Sequence, residues 1–402
     1  MKTFLVGGAV RDKFLGIPVK DRDWVVVGAT PEEMIKKGFK PVGEDFPVFI
    51  HPDTKEEYAL ARTERKSGKG YKGFQFYTSP NVSLEDDLKR RDLTINAMAE
   101  DENGNLIDPY GGKDDLKNGM LRHISTAFVE DPLRVLRVAR FAACFGFKID
   151  DKTMQLLNDI SQSGELDLLV PERVWSEMEK ALAGNYPTRF VLVLRSCQAL
   201  KKLFPEIDAL FGIPQNKKYH PEIDTGTHTI MALNQSAQLS SDPLIRFAVL
   251  VHDLGKAITP KNKLPDHEGH EAKGVDIIDS LCQRYRIPNK YHDLAVCVSK
   301  YHIDCHQIQE MEPKKVIEKL EELDAFRRPE RFKQFLIACE CDSRGRAGYE
   351  NKDFSQAKYF FNALEITKEI DIDTLKNKGL EGKALGLAIK EERIKILKES
   401  II

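Results

Sequence analysis

The sequence predicts an α+β fold, a small mixed-sheet head over residues 1–125 followed by an all-α body. Three observations predict it. The head mixes short β-rich runs with Gly and Pro punctuation. From Asp131 onward, apolar residues recur with helical period in long segments. The chain has 402 residues, 41% of them apolar, enough for two or three domains with their own cores.

In the head, strands are expected at Thr3–Val6, Trp24–Val27, Val48–Ile50 and Glu57–Ala61. A helix is expected from Pro31 to Lys37, with Thr30 as its N-cap. Body helices are expected at 131–145, 153–162, 172–183, 188–200, 227–239, 243–254, 271–284, 291–302, 313–322, 330–345, 356–369 and 384–399. No internal repeat and no low-complexity linker is seen in the sequence.

Bulk properties exclude several classes. No 18-residue uncharged apolar run exists, so no membrane association is expected. The N-terminal apolar run stops at Val6 and Arg11-Asp12 follow, unlike a secretory signal. Seven scattered cysteines fit reduced thiols in a cytoplasm, and Cys339-x-Cys341 is too short and isolated for a zinc knuckle. The net charge of −2 means that any nucleic-acid contact comes from local patches. One such patch is Arg62, Arg65, Lys66, Lys69 and Lys72, set against Glu64 alone; a solvated loop has the same signature.

Chemistry first shows at Val6-Gly7-Gly8-Ala9-Val10-Arg11-Asp12. Two glycines after a strand let the backbone approach a phosphate, a helix N-terminus offers N–H groups, and Arg11 adds a cation. Lys20-Asp21-Arg22-Asp23-Trp24-Val25 follows. On one strand, Asp21 and Asp23 share a face ~6–7 Å apart, where they repel unless cations sit between them. Hard divalent ions such as Mg²⁺ suit that role. A third carboxylate is expected from a neighbouring strand. Glu57 is the candidate, with Glu56 the alternative if the register differs.

Asp131 and Arg134 are i and i+3, hence neighbours on a helix. A carboxylate accepts from the exocyclic amine of cytosine or adenine, and a guanidinium donates to the adjacent ring nitrogen. Uracil and guanine present a carbonyl instead of the amine. Such a pair can select C and A without a nucleic-acid template. Arg137 and Arg140 drift off that face and read as triphosphate or structural arginines.

The order Gly7-Gly8-x-x-Arg11-Asp12, then Asp21-x-Asp23, resembles the signature of DNA-polymerase-β-like nucleotidyltransferases. Leu88-Lys89-Arg90-Arg91-Asp92-Leu93-Thr94-Ile95-Asn96-Ala97 resembles the next motif of the class that includes bacterial CCA-adding enzymes and poly(A) polymerases. Asp108-Pro109-Tyr110-Gly111-Gly112 and Glu130-Asp131-Pro132-Leu133-Arg134 resemble the third and fourth. The resemblance implies catalytic Asp21, Asp23 and Glu57. It implies nucleotide contacts from Gly8, Arg11, Arg91, Asp92, Asp131, Arg134, Arg137 and Arg140. Magnesium-dependent transfer from CTP and ATP to a tRNA 3′-hydroxyl is the implied reaction.

Eight of the ten histidines lie between His220 and His306. Imidazoles with a carboxylate are a transition-metal ligand set. His252-Asp253-Leu254-Gly255-Lys256 with an upstream His228 resembles the HD phosphohydrolase family. The resemblance implies ligands His228, His252, Asp253 and a downstream Asp, for which Asp342 is the candidate and Asp304 the weaker option. His267, His270 and His302 would bind a second metal or the substrate phosphate, and Lys256 would pair with that phosphate. His220 and His292 are expected to be structural.

Across nearly all of the chain, the sequence resembles multifunctional class II CCA-adding enzymes. That implies domains at 1–125 (nucleotidyltransferase head), 126–215 (base-recognition neck), 216–345 (HD phosphohydrolase) and 346–402 (helical tail). It implies nickel as the hydrolytic metal, phosphomonoesters or 2′,3′-cyclic phosphates as its substrates, and a cytoplasmic monomer or homodimer. The alternatives are a poly(A) polymerase and a non-catalytic RNA-binding or signalling module.

Overall fold

The computed structural model describes residues 1–42, 48–66, 74–370, 372–377 and 379–400. It divides into two compact units, Met1–Leu203 and Phe204–Ile402.

The first unit begins with β1 (Lys2–Val6), α1 (Gly8–Phe14), β2 (Asp23–Val27), α2 (Pro31–Lys36), β3 (Lys40–Val42), β4 (Val48–Ile50) and β5 (Glu57–Leu60). The hairpin β6 (Arg62–Lys66) and β7 (Phe74–Thr78) follows, then α3 (Leu84–Lys89), β8 (Ala99–Glu100) and β9 (Leu106–Ile107). Lys69 and Lys72 of the basic patch lie outside the described residues, as do the side chains of Arg65 and Lys66. The sheet order is β3-β4-β5-β2-β1-β8-β9. It is mixed, because β2 and β5 run parallel while the other pairs are antiparallel. Thr30 caps α2 with a reciprocal Thr30–Glu33 capping box, as expected at that position.

Strand alternation sends successive side chains to opposite faces. Val25 joins Phe4, Val6, Leu88 and Ala97 in one core, while Val26 joins Met34, Phe39 and Phe49 in the other. Asp23 has the parity of Val25, so it stands at the end of the first face. Asp21 does not lie on the strand, contrary to expectation. Asp23 is the last residue that β1 reaches, through Val6, and the first that β5 reaches, through Glu57; no neighbour extends to pair residue 21.

The unit is completed by α4 (Gly112–Asn118), β10 (Met120–Leu121), α5 (Leu133–Phe145), β11 (Lys148–Ile149), α6 (Asp151–Gln162), α7 (Pro171–Leu182), α8 (Pro187–Ser196) and α9 (Ala199–Leu203). The single helix expected over 188–200 is broken, with Gln198 in the left-handed region at φ 65°. Two buried aspartates pin the arginine-rich segments. Asp87 lies 2.9 Å from Arg90 and 3.3 Å from Arg91, and Asp92 lies 2.7 Å from Arg137 on α5. Burial opposes the charge on Asp92. Arg137, with a hydrogen bond from Asn96, outweighs it and holds the carboxyl well below the usual carboxylate range.

The second unit contains α10 (Pro205–Asp208), α11 (Thr225–Leu239), α12 (Pro243–Val251), α13 (His270–Tyr285), α14 (Asn289–Gln307), α15 (Pro313–Glu322), α16 (Pro329–Arg344), α17 (Ser355–Lys368), α18 (Ile372–Asn377) and α19 (Gly382–Ser400). Apolar α12 is buried almost throughout, between α11, α14 and α16. It ends at Val251, and a 3-10 turn over Leu254–Ile258 follows. That turn packs on the start of α13: a Cβ on Gly255 would meet the His270 carbonyl oxygen at 2.0 Å.

Two predictions follow from this packing. Gly255→Ala forces backbone against backbone and should cost about 1–3 kcal/mol, read as a lower thermal midpoint; an unchanged midpoint would refute the close approach. Asp92 contributes stability that is present above its unfolded value of 3.8 and lost as the pH falls below it, through the depressed folded value. Asp92→Asn should therefore destabilise the chain near neutral pH in urea unfolding, with the gap to the parent closing in strong acid. A gap that stays constant with pH would contradict the pairing.

Candidate functional site

Two sites emerge, one in each unit. The first is a cleft of about 600 Å³. Gly7, Gly8, Asp21 and Asp23 line it together with Asn96, Asp131 and Phe141. Six arginines (11, 90, 91, 134, 137 and 140) and Lys180 face it against four aspartates (21, 23, 92 and 131), which makes the cleft cationic. Burial, and then the neighbouring Asp21, raise the Asp23 carboxyl, with Arg91 opposing them.

The register decides between Glu56 and Glu57. Glu57 is paired with Asp23 across β2 and β5 and so shares its face. Glu56 lies on the opposite face, where Oε2 accepts from Trp24 Nε1 at 2.9 Å. Glu57 and Asp23 both line a smaller cavity that also touches Arg90 and Arg91.

The arginines are held before any ligand arrives. Arg11 donates to Asn96 Oδ1 at 2.7 Å and pairs with Asp12, its guanidinium 5.2 Å from the Phe141 ring centre. Arg91 lies against Gly7, where a Cβ would come within 2.7 Å of Nη1; Gly7 also sits at φ 69°. Arg137 donates to Asp92, and Arg140 to Glu177 at 2.5 Å on α7. Arg140 also lies 4.0 Å from the centre of the Phe141 ring. Asp92 therefore serves three partners already, Arg137, Asn96 and the Leu93 N–H.

Asp131 and Arg134 are not neighbours on one helix, as the spacing suggested. A residue before proline is steered out of the helical region, and Asp131, before Pro132, is extended at φ −110°. The helix starts at Leu133, whose N–H is capped by Asp131 Oδ1 at 3.0 Å. Arg134 instead donates to the carbonyls of Ala127 and Arg90, at 3.2 and 2.6 Å. Both side chains still line the cleft.

The second site is a pocket of about 570 Å³ backed by buried histidines and aspartates. His228 comes from the first turn of α11, His252 and Asp253 from the end of α12, His270 from the start of α13, His302 and His306 from α14, and Asp342 from α16. Three overlapping groups bring their ligand atoms within 4.8 Å: His228, His252 and Asp253; His252, His302 and Asp342; Asp253, His270 and His302.

Each ring is oriented from behind. His252, His270 and His302 donate Nδ1–H to the carbonyls of Val249, His267 and Val298, at 2.7, 2.7 and 3.0 Å. Their Nε2 lone pairs then face carboxylates: His252 Nε2 lies 3.2 Å from Asp253, and His270 and His302 lie 3.4 and 3.6 Å from its other oxygen. Acceptor facing acceptor needs a cation between. The buried Nε2 atoms of His252 and His270 have no hydrogen-bond partner among the described residues.

The electrostatics agree. Burial works against charge on Asp253 and Asp342, yet His252 and Lys256 beside the first, and His306 and His228 beside the second, hold both well below the ordinary value. Burial would lower His252 too, but Asp253 and then Asp342 raise it to about 10, so a cation, whether a proton on Nε2 or a metal ion, belongs between the ring and these carboxylates. Burial, reinforced by His252, drives His302 down to about 3, a neutral donor. Lys256 Nζ lies 2.7 Å from Asp253 and donates to Gln215 Oε1 at 2.7 Å.

Two expectations need correction. His267 offers no ring nitrogen to a metal: Nε2 donates to the Pro214 carbonyl at 3.0 Å and Nδ1 accepts from Thr259 at 2.8 Å. His220, expected to be structural, stands at the second site. It lines the pocket and, with Glu222 and His228, forms a fourth donor group. Asp304 pairs with Lys319 at 3.0 Å, outside these groups. His292 pairs with Asp279 at 2.6 Å, also outside these groups. Sequence reasoning gave no role to Glu222 or His306, whose Nε2 lies 2.7 Å from Asp342; the i, i+4 spacing from His302 was the available signal for the latter.

Residues 3–122 match the family described as "Poly A polymerase head domain". Residues 146–211 match "Probable RNA and SrmB- binding site of polymerase A", and residues 225–328 match "HD domain". The Thermotoga maritima CCA-adding enzyme complexed with tRNA has a similar fold, with TM-score 0.65 at 22% identity over 98% of this chain and 86% of that one. The Bacillus stearothermophilus CCA-adding enzyme in complex with CTP gives 0.64 at 23%, over 99% and 89%. The chain is 57% identical to the multifunctional CCA protein of Thioalkalivibrio sulfidiphilus (strain HL-EbGR7), over 99% of this chain and 98% of the relative. It is 54% identical to that of Nitrosococcus oceani, over 100% and 99%. With such identity along nearly the whole of both chains, this protein belongs to the multifunctional CCA protein family.

Proposed function

We propose that the cleft of the first unit adds the 3′-terminal CCA to tRNA from CTP and ATP, with release of pyrophosphate. The carrying observation is one cationic cleft holding Asp23 at the start of β2, Asp21 just before it, a bank of pre-oriented arginines, and the Asp131–Arg134 pair. The head belongs to unit Met1–Leu203, and the functional regions are taken as 1–125, 126–215, 216–345 and 346–402.

Arg11, Arg91, Arg137 and Arg140 bind the triphosphate, with Gly7 and Gly8 allowing close approach and Asp92 keeping Arg137 in place. The Asp131 carboxylate accepts from the amine of C or A. Arg134, stiffened by the carbonyls of Ala127 and Arg90, donates to the adjacent ring nitrogen. The tRNA 3′-hydroxyl oxygen bonds to the α-phosphorus, and the bond to the bridging oxygen breaks as pyrophosphate leaves. Hard-donor Asp21, Asp23 and Glu57 would hold magnesium, which lowers the hydroxyl pKa and neutralises the leaving pyrophosphate.

The second unit hydrolyses phosphomonoesters, 2′-phosphates and 2′,3′-cyclic phosphates. His228, His252, Asp253 and Asp342 would hold a divalent transition ion, nickel being the candidate, and such an ion supplies an activated water. His270 and His302 would complete a second metal position with Asp253, or bind the phosphate. Lys256 neutralises phosphate charge at the pocket wall. Seven free thiols support a cytoplasmic location; no described helix is long and apolar enough to cross a membrane. A monomer or homodimer suffices, because each site's residues come from one unit.

Two experiments test this reading. Purified protein with tRNA lacking its end should add C, C and A and stop, whereas an open-ended A tail would favour a poly(A) polymerase. Asp21→Ala should cut incorporation by at least ~10²-fold, the scale of losing one preorganised electrostatic group, and spare phosphatase activity; His252→Ala should do the reverse. Unchanged incorporation in the first, or unchanged phosphatase in the second, would mean that the site is misplaced.

A further inference from the structure

The histidines of the second site differ in what stands behind them. His252, His270 and His302 lean on backbone carbonyls. His228 does not rely on a carbonyl alone. Its Nδ1 faces Glu222 Oε1 at 3.1 Å as well as the Gly345 carbonyl at 3.2 Å. His228 is fully buried, and the Glu222 side chain is 3% exposed.

Glu222 is itself held by two further groups. His220 Nδ1 lies 3.1 Å from Oε1, and the Ala347 N–H donates to Oε2 at 3.3 Å. The rings of His220 and His228 stand 4.8 Å apart, nearly perpendicular at 78°. The segment that carries Glu222 is short and tightly turned, with Ile223 in the left-handed region at φ 63°. Asp224, next along, caps α11 through the Thr227 N–H at 2.7 Å and so places the turn that bears His228.

A buried carboxylate beside an imidazole has a definite effect. It accepts a hydrogen bond from Nδ1–H, which keeps the proton on that nitrogen, leaves the Nε2 lone pair for the opposite side, and increases that nitrogen's strength as a donor. On the opposite side of His228 stand Asp342 Oδ1 at 2.9 Å and Asp253 Oδ2 at 3.9 Å.

We propose that Glu222 is the positioning carboxylate of His228, setting its tautomer and donor strength toward a divalent ion, and that His220 clamps Glu222 from the pocket wall. The inference rests on the metal-centre reading of the second unit. It extends the functional machinery upstream of His228 to residues 220–222. It also separates two classes of histidine: three that backbone geometry orients, and one whose donor strength a side chain adjusts.

The test is calorimetric titration of the full chain with Mn²⁺, alongside phosphatase assays over a range of Mn²⁺ and a CCA-addition assay. The parent should bind Mn²⁺ in both units, and His252→Ala should remove the second unit's share, the part that survives in Asp21→Ala; if it does not, the metal-centre reading fails, and this inference with it. Given that binding, Glu222→Gln keeps the shape but removes the charge. It should weaken Mn²⁺ by about 10–100-fold, the range for such outer partners, with phosphatase turnover recovered as Mn²⁺ is raised and CCA addition intact. Glu222→Asp should recover part of the affinity. His220→Gln, which leaves Glu222 charged but unclamped, should give a smaller loss and serves if Glu222→Gln does not fold. Parental Mn²⁺ affinity in Glu222→Gln, or in His220→Gln where that variant stands in, would overturn the proposal.

Discussion

Carboxylates removed from water must be matched by cations, and this constraint organises both units. In the first unit, Asp87 and Asp92 are buried, and arginines from α3, its following turn and α5 match them. In the second unit, Asp253 and Asp342 are buried, and imidazoles and Lys256 stand close by. The first arrangement is complete as it stands and serves to orient arginines. The second leaves lone pairs facing negative oxygen, which is how a protein prepares a place for a metal ion.

The same economy explains the stiffness of the first cleft. Free arginines carry many rotamers, and ordering them on ligand binding costs affinity. Here Asn96, Asp92, Glu177 and the carbonyls of Ala127 and Arg90 have already fixed Arg11, Arg137, Arg140 and Arg134. Phe141 adds a flat surface beneath Arg11 and Arg140. A template made of side chains can discriminate bases only if those side chains cannot turn to suit the wrong one.

Legibility from sequence differed by kind of feature. Most strand and helix positions followed from periodicity and capping residues, down to Thr30 as an N-cap, whereas the helix expected over 188–200 is two. The choice of Asp342 over Asp304 needed the fold: both sit on helical segments near histidines, and only α16 turns its acid toward His228. Glu57 was favoured over Glu56, but the β2–β5 register is what puts one carboxylate beside Asp23 and the other against Trp24. The Asp131–Arg134 reading assumed a helix two residues too early, because Pro132 bends the residue before it out of the helix. Glu222 carried no signal beyond its nearness to His220 in the chain.

The sequence by itself determined the two chemistries, since residue types at short spacings (Gly-Gly, Asp-x-Asp, His-Asp) carry donor atoms whose kind does not depend on distant packing. It also determined the division into a β-rich head and a helical body, because hydrophobic period is a local property. Only the tertiary structure decided which acid completes each cluster, which histidine has both ring nitrogens occupied, and which arginine leans on which carbonyl. Most of those pairings join residues tens of positions apart, 37 for Arg140–Glu177 and 114 for His228–Asp342. They are settled by how helices and strands pack, which no local spacing encodes.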